Sequence, residues 1–186
     1  MNVNINDIKN GMTLILDGKL VMIVDFQHVK PGKGPAFVRI KYRDLNTGST
    51  IEDTFNTNLK LEKAHVDKLP MQYLYKDGAN YVFMNTEDYS QMEVNESIVA
   101  DNARFLKEGL EIQIQMYNGT ILGLVLPEKI EFEIIETTDA VKGNTTNNAQ
   151  KDAKIETGYT IKVPMFIKEG EKVLVTTADG KYSSRA

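Results

Sequence analysis

The stretch Phe105-Leu106-Lys107-Glu108-Gly109, followed by Ile112, Ile114 and the pair Asn118-Gly119, recurs 61 residues later as Phe166-Ile167-Lys168-Glu169-Gly170, Val173, Val175 and Asp179-Gly180. In each copy apolar residues alternate with polar ones and run into an Asn-Gly or Asp-Gly pair. That is the pattern of a half-buried strand closed by a tight turn. A hairpin with a glycine at each end could look like this by chance, but identities and spacing agree together, which favours duplication of one small β domain. A repeat of some sixty residues suits a five-stranded barrel of the oligonucleotide-binding (OB) type. Two such barrels leave the first third of the chain as another, giving expected domains at 1–64, 65–127 and 128–186.

The rest of the sequence fits an all-β chain. Asp17-Gly18 and Asp77-Gly78 add two more hairpin signals, and Asn46-Thr47-Gly48 reads as a longer hairpin loop. Val21 to Asp25, Phe37 to Tyr42, Tyr81 to Met84, Glu111 to Tyr117 and Lys172 to Thr177 are rich in β-branched and aromatic residues and read as short strands. One helix is expected, over Glu96 to Leu106, with Asn95 as its N-cap and Gly109 beyond its end. Val141 to Ala153 is polar, without apolar periodicity, and reads as a long exposed loop.

Composition narrows the function. The absence of cysteine removes disulfides, thiolate metal sites and thiol nucleophiles, and points to a reducing compartment, the cytoplasm. The first residues carry Asp7 and no long apolar run, so neither a leader peptide nor a membrane span is expected. His28 and His65 have no partner at triad or metal-ligand spacing, and Gly32-Lys33 is followed by Gly34 where a phosphate-binding P-loop needs Ser or Thr. No metal, cofactor or catalytic residue is therefore expected, and the enzyme reading ranks last.

The net charge of −4 conceals an asymmetry. Divided after residues 64 and 127, the thirds hold 9 basic and 7 acidic, 4 and 9, and 9 and 10 residues, for +2, −5 and −1. The first third concentrates its positive charge in Lys30, Lys33, Arg39, Lys41 and Arg43, with no acid between Asp25 and Asp44. At the centre, Lys30-Pro31-Gly32-Lys33-Gly34-Pro35 interrupts two strand-like runs. Proline fixes φ and glycine tolerates a left-handed backbone, so the segment reads as a tight reversal with Lys33 at its apex. For an arbitrary protein such a tip is a solvated turn. Here a lysine flanked by glycines on a basic hairpin can enter a narrow space, or meet a modifying enzyme, while its neighbours hold RNA phosphates.

Lys30-Pro31-Gly32-Lys33-Gly34-Pro35-Ala36-Phe37, then Val38-Arg39 and a Leu45-Asn46-Thr47-Gly48 turn, resembles the first-domain loop of the bacterial elongation factor P family. Archaeal and eukaryotic initiation factor 5A carries an analogous lysine. A second match spans Lys151, Ala153, Gly158, Ile161, Val163, Pro164, Ile167 and Gly170, at the spacing of the family's C-terminal signature, and the ending with Tyr182 and Arg185 is similar too. The resemblance implies a KOW-like barrel followed by two OB-fold barrels in an L shaped like tRNA. It implies a monomer that binds the 70S ribosome between the peptidyl- and exit-tRNA sites and relieves stalling on consecutive prolines. Lys33, extended by a lysine-modifying enzyme, would reach towards peptidyl-tRNA. Contacts with tRNA and ribosomal RNA would fall to Lys30, Pro31, Gly32, Lys33, Gly34, Arg39, Lys41, Arg43, Tyr182 and Arg185. Gly143, Asn144 and Thr145 stand where the family has a codon-proximal Gly-Asp-Thr, so one charge is lost there. Two competitors remain: a paralogue within the family acting on other stalled sequences, and a generic OB-fold module for single-stranded nucleic acid, which would need aromatic platforms beside the basic loop.

Overall fold

The computed structural model describes residues 2–138 and 149–186. These residues form three antiparallel sheets. The first contains β1 (Asn2–Asn4), β2 (Thr13–Leu16), β3 (Lys19–Val29), β4 (Phe37–Asp44), β5 (Thr50–Asn56) and β6 (Lys60–Lys63), in the order β1-β6-β2-β3-β4-β5. The second contains β7 (Asp67–Asp77), β8 (Asn80–Asn85), β9 (Gln91–Asn95), β10 (Glu111–Tyr117) and β11 (Thr120–Val125), in the order β11-β10-β7-β8-β9. The third contains β12 (Lys129–Thr137), β13 (Gln150–Ile155), β14 (Thr160–Pro164), β15 (Lys172–Thr176) and β16 (Lys181–Arg185), in the order β14-β13-β12-β15-β16. Its edge strands β14 and β16 approach each other, so it curls towards a closed barrel. The chain divides into two compact units, Met1–Asp67 with Met116–Leu122 and Lys68–Gln115 with Gly123–Ala186.

The sequence repeat is a structural repeat. Numbered within each five-stranded sheet, both run third-second-first-fourth-fifth, the arrangement of the OB fold. Each first strand carries a register shift at the same place, between Tyr73 and Tyr75 in β7 and between Ile134 and Glu136 in β12. The skipped residues, Leu74 and Ile135, lie 61 apart. A bulge leaves its extra residue outside the ladder and bends the strand. Ile135, an apolar residue 43% exposed, is the visible consequence.

The turn signals resolve into two kinds. At Asp17-Gly18 and Asn118-Gly119 both central residues take positive φ, as a type I′ hairpin requires. At Asp77-Gly78 and Asp179-Gly180 only the glycine does. Gly180 instead ends a four-residue loop, its N–H donating to Thr176 O at 2.9 Å, and Gly48 closes the β4–β5 loop on Asp44 O in the same way. In that loop the Asp44 carboxylate accepts the N–H groups of Asn46 and Thr47, which draw its pKa below the usual carboxylate range.

The expected helix is much shorter. Asn95 does cap it, accepting from Ser97 N, but α1 covers only Glu96–Val99. Ala100 then turns to φ 48°, and Ala100–Phe105 continues as a 3-10 turn. The alternation in β4 holds: Val38, Ile40 and Tyr42 are buried with Ile5, Leu14, Val21, Ile23 and Leu61 in the first core, whereas Arg39 and Lys41 face out.

Tyr42 carries a hydroxyl into that core stripe, and it donates to Asp53 Oδ2 at 2.6 Å. Burial, then the hydrogen bond and charge of Asp53, push its pKa up to about 12. A pKa raised on folding stabilises fully below the unfolded value near 10 and loses that contribution as pH climbs through about 12. Tyr42→Phe should therefore cost about 1.5 kcal/mol at neutral pH. In urea titrations the gap between wild type and variant should close as pH approaches 12.

Candidate functional site

An exposed cationic feature of the first sheet lies at the end of its longest hairpin. β3 and β4 pair from Val21–Asp44 to Val29–Phe37, and the chain between them, residues 30–36, carries no ladder. Lys30, Pro31, Gly32, Lys33, Gly34 and Pro35 are all exposed. Only Gly34 uses a left-handed backbone, at φ +109°; Gly32 does not. Gly34 packs near the Pro31 ring, since a Cβ there would lie 3.9 Å from Pro31 Cγ. Among the described residues no hydrogen bond or ion pair engages Lys30 or Lys33. The Lys33 ammonium stands free on four methylenes, three donors without an acceptor.

The basic stripe along β4 is less bare than its sequence suggests. Alternation places Arg39, Lys41 and Arg43 on the outer face. The neighbouring strands bring acids to two of them: Lys41 lies between Asp25 on β3 and Glu52 on β5, and Arg39 Nε is 3.7 Å from Glu52 Oε1, whereas Arg43 lies between Met22 and Thr50. Such exposed pairs contribute little to stability, but they offset the local field. The positive charge without an acidic cross-strand neighbour is therefore that of Lys30 and Lys33 on the tip and of Arg43 at the far end of β4. Sequence reading missed this because strand pairing, not chain order, sets these neighbours. Aromatic side chains are mostly withdrawn here: Tyr42 is buried, Phe26 packs against the first core and Phe37 is only partly exposed, while the exposed His28 ring meets Phe26 edge-on at 5.6 Å.

The C-terminal candidates sit on β16 of the third sheet and differ in character. Tyr182 packs against the third core. Arg185 lies over the Phe166 ring, 4.7 Å from its centroid, and reaches Glu171 at 3.3 Å, so its guanidinium is held in place while still exposed. Gly143, Asn144 and Thr145 lie outside the described residues. On β13, Lys151, which the sequence marked only as part of a spacing pattern, is buried and donates to Thr138 O at 2.5 Å.

Removing Lys33 should leave the fold untouched. Lys33→Ala is expected to shift unfolding free energy by less than about 0.5 kcal/mol. Gly34→Ala should cost about 1 kcal/mol from its backbone conformation. Thermal denaturation of both variants checks this contrast.

Family models match nearly the whole chain in three consecutive pieces. They are described as the elongation factor P KOW-like domain at residues 4–61, the elongation factor P OB domain at 66–124, and the elongation factor P C-terminal domain at 130–185. Among solved structures, a eukaryotic translation initiation factor 5A from Methanococcus jannaschii is similar at 25% identity, covering 68% of this chain and 94% of its own, with a TM-score of 0.55. A translation initiation factor eIF-5A family protein from Naegleria fowleri covers 68% of this chain and 98% of its own at 19% identity and a TM-score of 0.49.

Proposed function

The chain belongs to the elongation factor P family and is a translation factor, and we propose that it binds the bacterial ribosome between the peptidyl- and exit-tRNA sites and accelerates peptide bond formation at consecutive prolines. The observation that carries this reading is the free ammonium of Lys33 at the end of an exposed, glycine- and proline-bounded hairpin. Such a group performs no bond chemistry. It can donate to phosphate and hydroxyl oxygens at the end of peptidyl-tRNA and restrain them. Proline is a poor nucleophile in this reaction, so holding the donor ester in an attack geometry lowers the entropic part of the barrier. The ribosome remains the catalyst.

In this reading Lys30, Pro31, Gly32 and Gly34 shape and support the tip, and Arg39, Lys41 and Arg43 meet RNA phosphates, with Tyr182 and Arg185 contacting RNA from the third sheet. Gly143, Asn144 and Thr145 approach the codon. A cytoplasmic enzyme lengthens Lys33, extending the reach of the tip. The protein acts as a monomer of three domains divided near residues 64 and 127, without cofactor. No helix among the described residues is long and apolar enough to cross a membrane. The rival reading as a generic single-strand binder gains little support, because Tyr42 is buried and Phe26 and Phe37 are part-buried, which leaves little stacking surface beside the tip.

Lys33→Ala should reduce the rate of proline–proline bond formation on a purified ribosome to the factor-free value while ribosome binding weakens only modestly. Lys33→Arg should give an intermediate rate, since charge is kept and stem geometry is not. Unimpaired rescue by Lys33→Ala refutes the assignment. Glu52→Gln, which frees Arg39, should tighten ribosome binding and steepen the slope of log affinity against log salt by up to about one.

A further inference from the structure

The repeated segment Phe-Leu/Ile-Lys-Glu-Gly makes the same backbone hydrogen bonds in both copies. Leu106 N donates to Ala103 O and Ile167 N to Pro164 O; Gly109 N donates to Tyr73 O and Gly170 N to Ile134 O; Leu110 N donates to Lys107 O and Glu171 N to Lys168 O. The first residue of the segment nevertheless has opposite fates. Phe166 is 55% exposed, whereas Phe105 is 1% exposed. Moreover, Phe105 is not buried in a core of its own sheet. It belongs to the cluster formed by Ile130, Phe132, Ile134, Val163 and Val175 of the third sheet, its ring centroid 6.4 Å from that of Phe132.

A tailored set of contacts surrounds it. The Arg104 guanidinium stacks between the rings of Phe105 and Tyr159, at 4.7 and 5.1 Å. Arg104 O accepts from Thr157 Oγ1 at 2.6 Å. Lys107 Nζ donates to Glu131 O and pairs with Glu156 at 3.2 Å, and Glu156 in turn accepts from Glu133 N. Gly180 makes room for this arrangement: a Cβ there would come within 3.0 Å of Tyr159 Oη and 3.5 Å of Arg104 Cζ. The Arg104–Tyr159 stack, the Thr157–Arg104 bond and both Lys107 contacts join the second repeat to the third sheet, and the Glu133–Glu156 bond holds the receiving carboxylate in place.

The third sheet also lacks a segment that the second possesses. Between its third and fourth strands the second sheet has residues 96–110, fifteen positions that include α1 and the 3-10 turn, whereas the third has only 165–171, seven positions without a helix. A barrel stripped of that segment has an open end to its core, and leaving that end empty would cost contacts and create a void.

We propose that Phe105, clamped by Arg104, is the missing core residue of the third barrel, so that the second and third barrels fold and move as one body with no hinge between them. The dependence is asymmetric: the third barrel borrows a side chain from the second, whereas the equivalent Phe166 stays 55% exposed. A displacement imposed on the third sheet is therefore passed directly to the second. This inference does not depend on the role of Lys33.

The test is hydrogen exchange of the full-length chain, resolved by strand. Phe105→Ala should lower amide protection in β12, β13 and β15 by at least about a hundredfold while leaving β2 to β4 unchanged. Its repeat counterpart, Phe166→Ala, should change protection anywhere by less than about threefold. Where Phe105→Ala proves too unstable to purify, Phe105→Leu should show the same regional loss at about tenfold. Third-sheet protection that survives either Phe105 substitution, or a loss confined to β7 to β11, overturns the proposal.

Discussion

The pairing of β3 with β4 is the constraint on which the candidate site depends. Because side chains alternate across a strand, one register decides at once that Val38, Ile40 and Tyr42 enter the core and that Arg39, Lys41 and Arg43 leave it. A slip of one residue would bury three cations. The same ladder ends at Val29–Phe37, so the chain beyond is released from sheet hydrogen bonding exactly where proline and glycine govern it instead. The paired hairpin is thus a stalk, and Lys33 stands on the turn at its end. Positioning a single cation far from any core requires such a stalk, since a flexible loop would surrender in entropy what the contact supplies.

The remainder of the chain shows how duplication can end in dependence. Two barrels share a strand order, a bulge and a glycine-closed turn, and one of them carries a shortened connection. The core that this shortening exposes is filled by an aromatic ring from the neighbour, with a guanidinium laid over it. Aromatic burial supplies the larger share of that contact, and the polar bonds around it fix its geometry. Ion pairs such as Lys107–Glu156 lie near the surface and orient more than they stabilise.

The tip, the repeat and the strands were legible because they rest on local rules. Glycine and proline restrict dihedrals whatever surrounds them, and alternation at period two declares a half-buried strand. Where the reading of the sequence failed, a non-local force had won. The helix expected over Glu96 to Leu106 stops at Val99, because the backbone turns at Ala100 to deliver Phe105 into another sheet. Four similar Asx-Gly pairs became two kinds of turn, since strand register and loop length select the turn and the dipeptide only permits it.

By itself the sequence determined that this protein is built of short antiparallel strands, that its last two domains are copies, and that one lysine stands at a hairpin apex, since each follows from residue geometry and spacing along the chain. Tertiary structure alone decided that Glu52 and Asp25 flank the basic stripe and that Phe105 serves a core other than its own. Both depend on which strands and sheets become neighbours, and that choice is made by burial summed over whole domains, which no local pattern encodes.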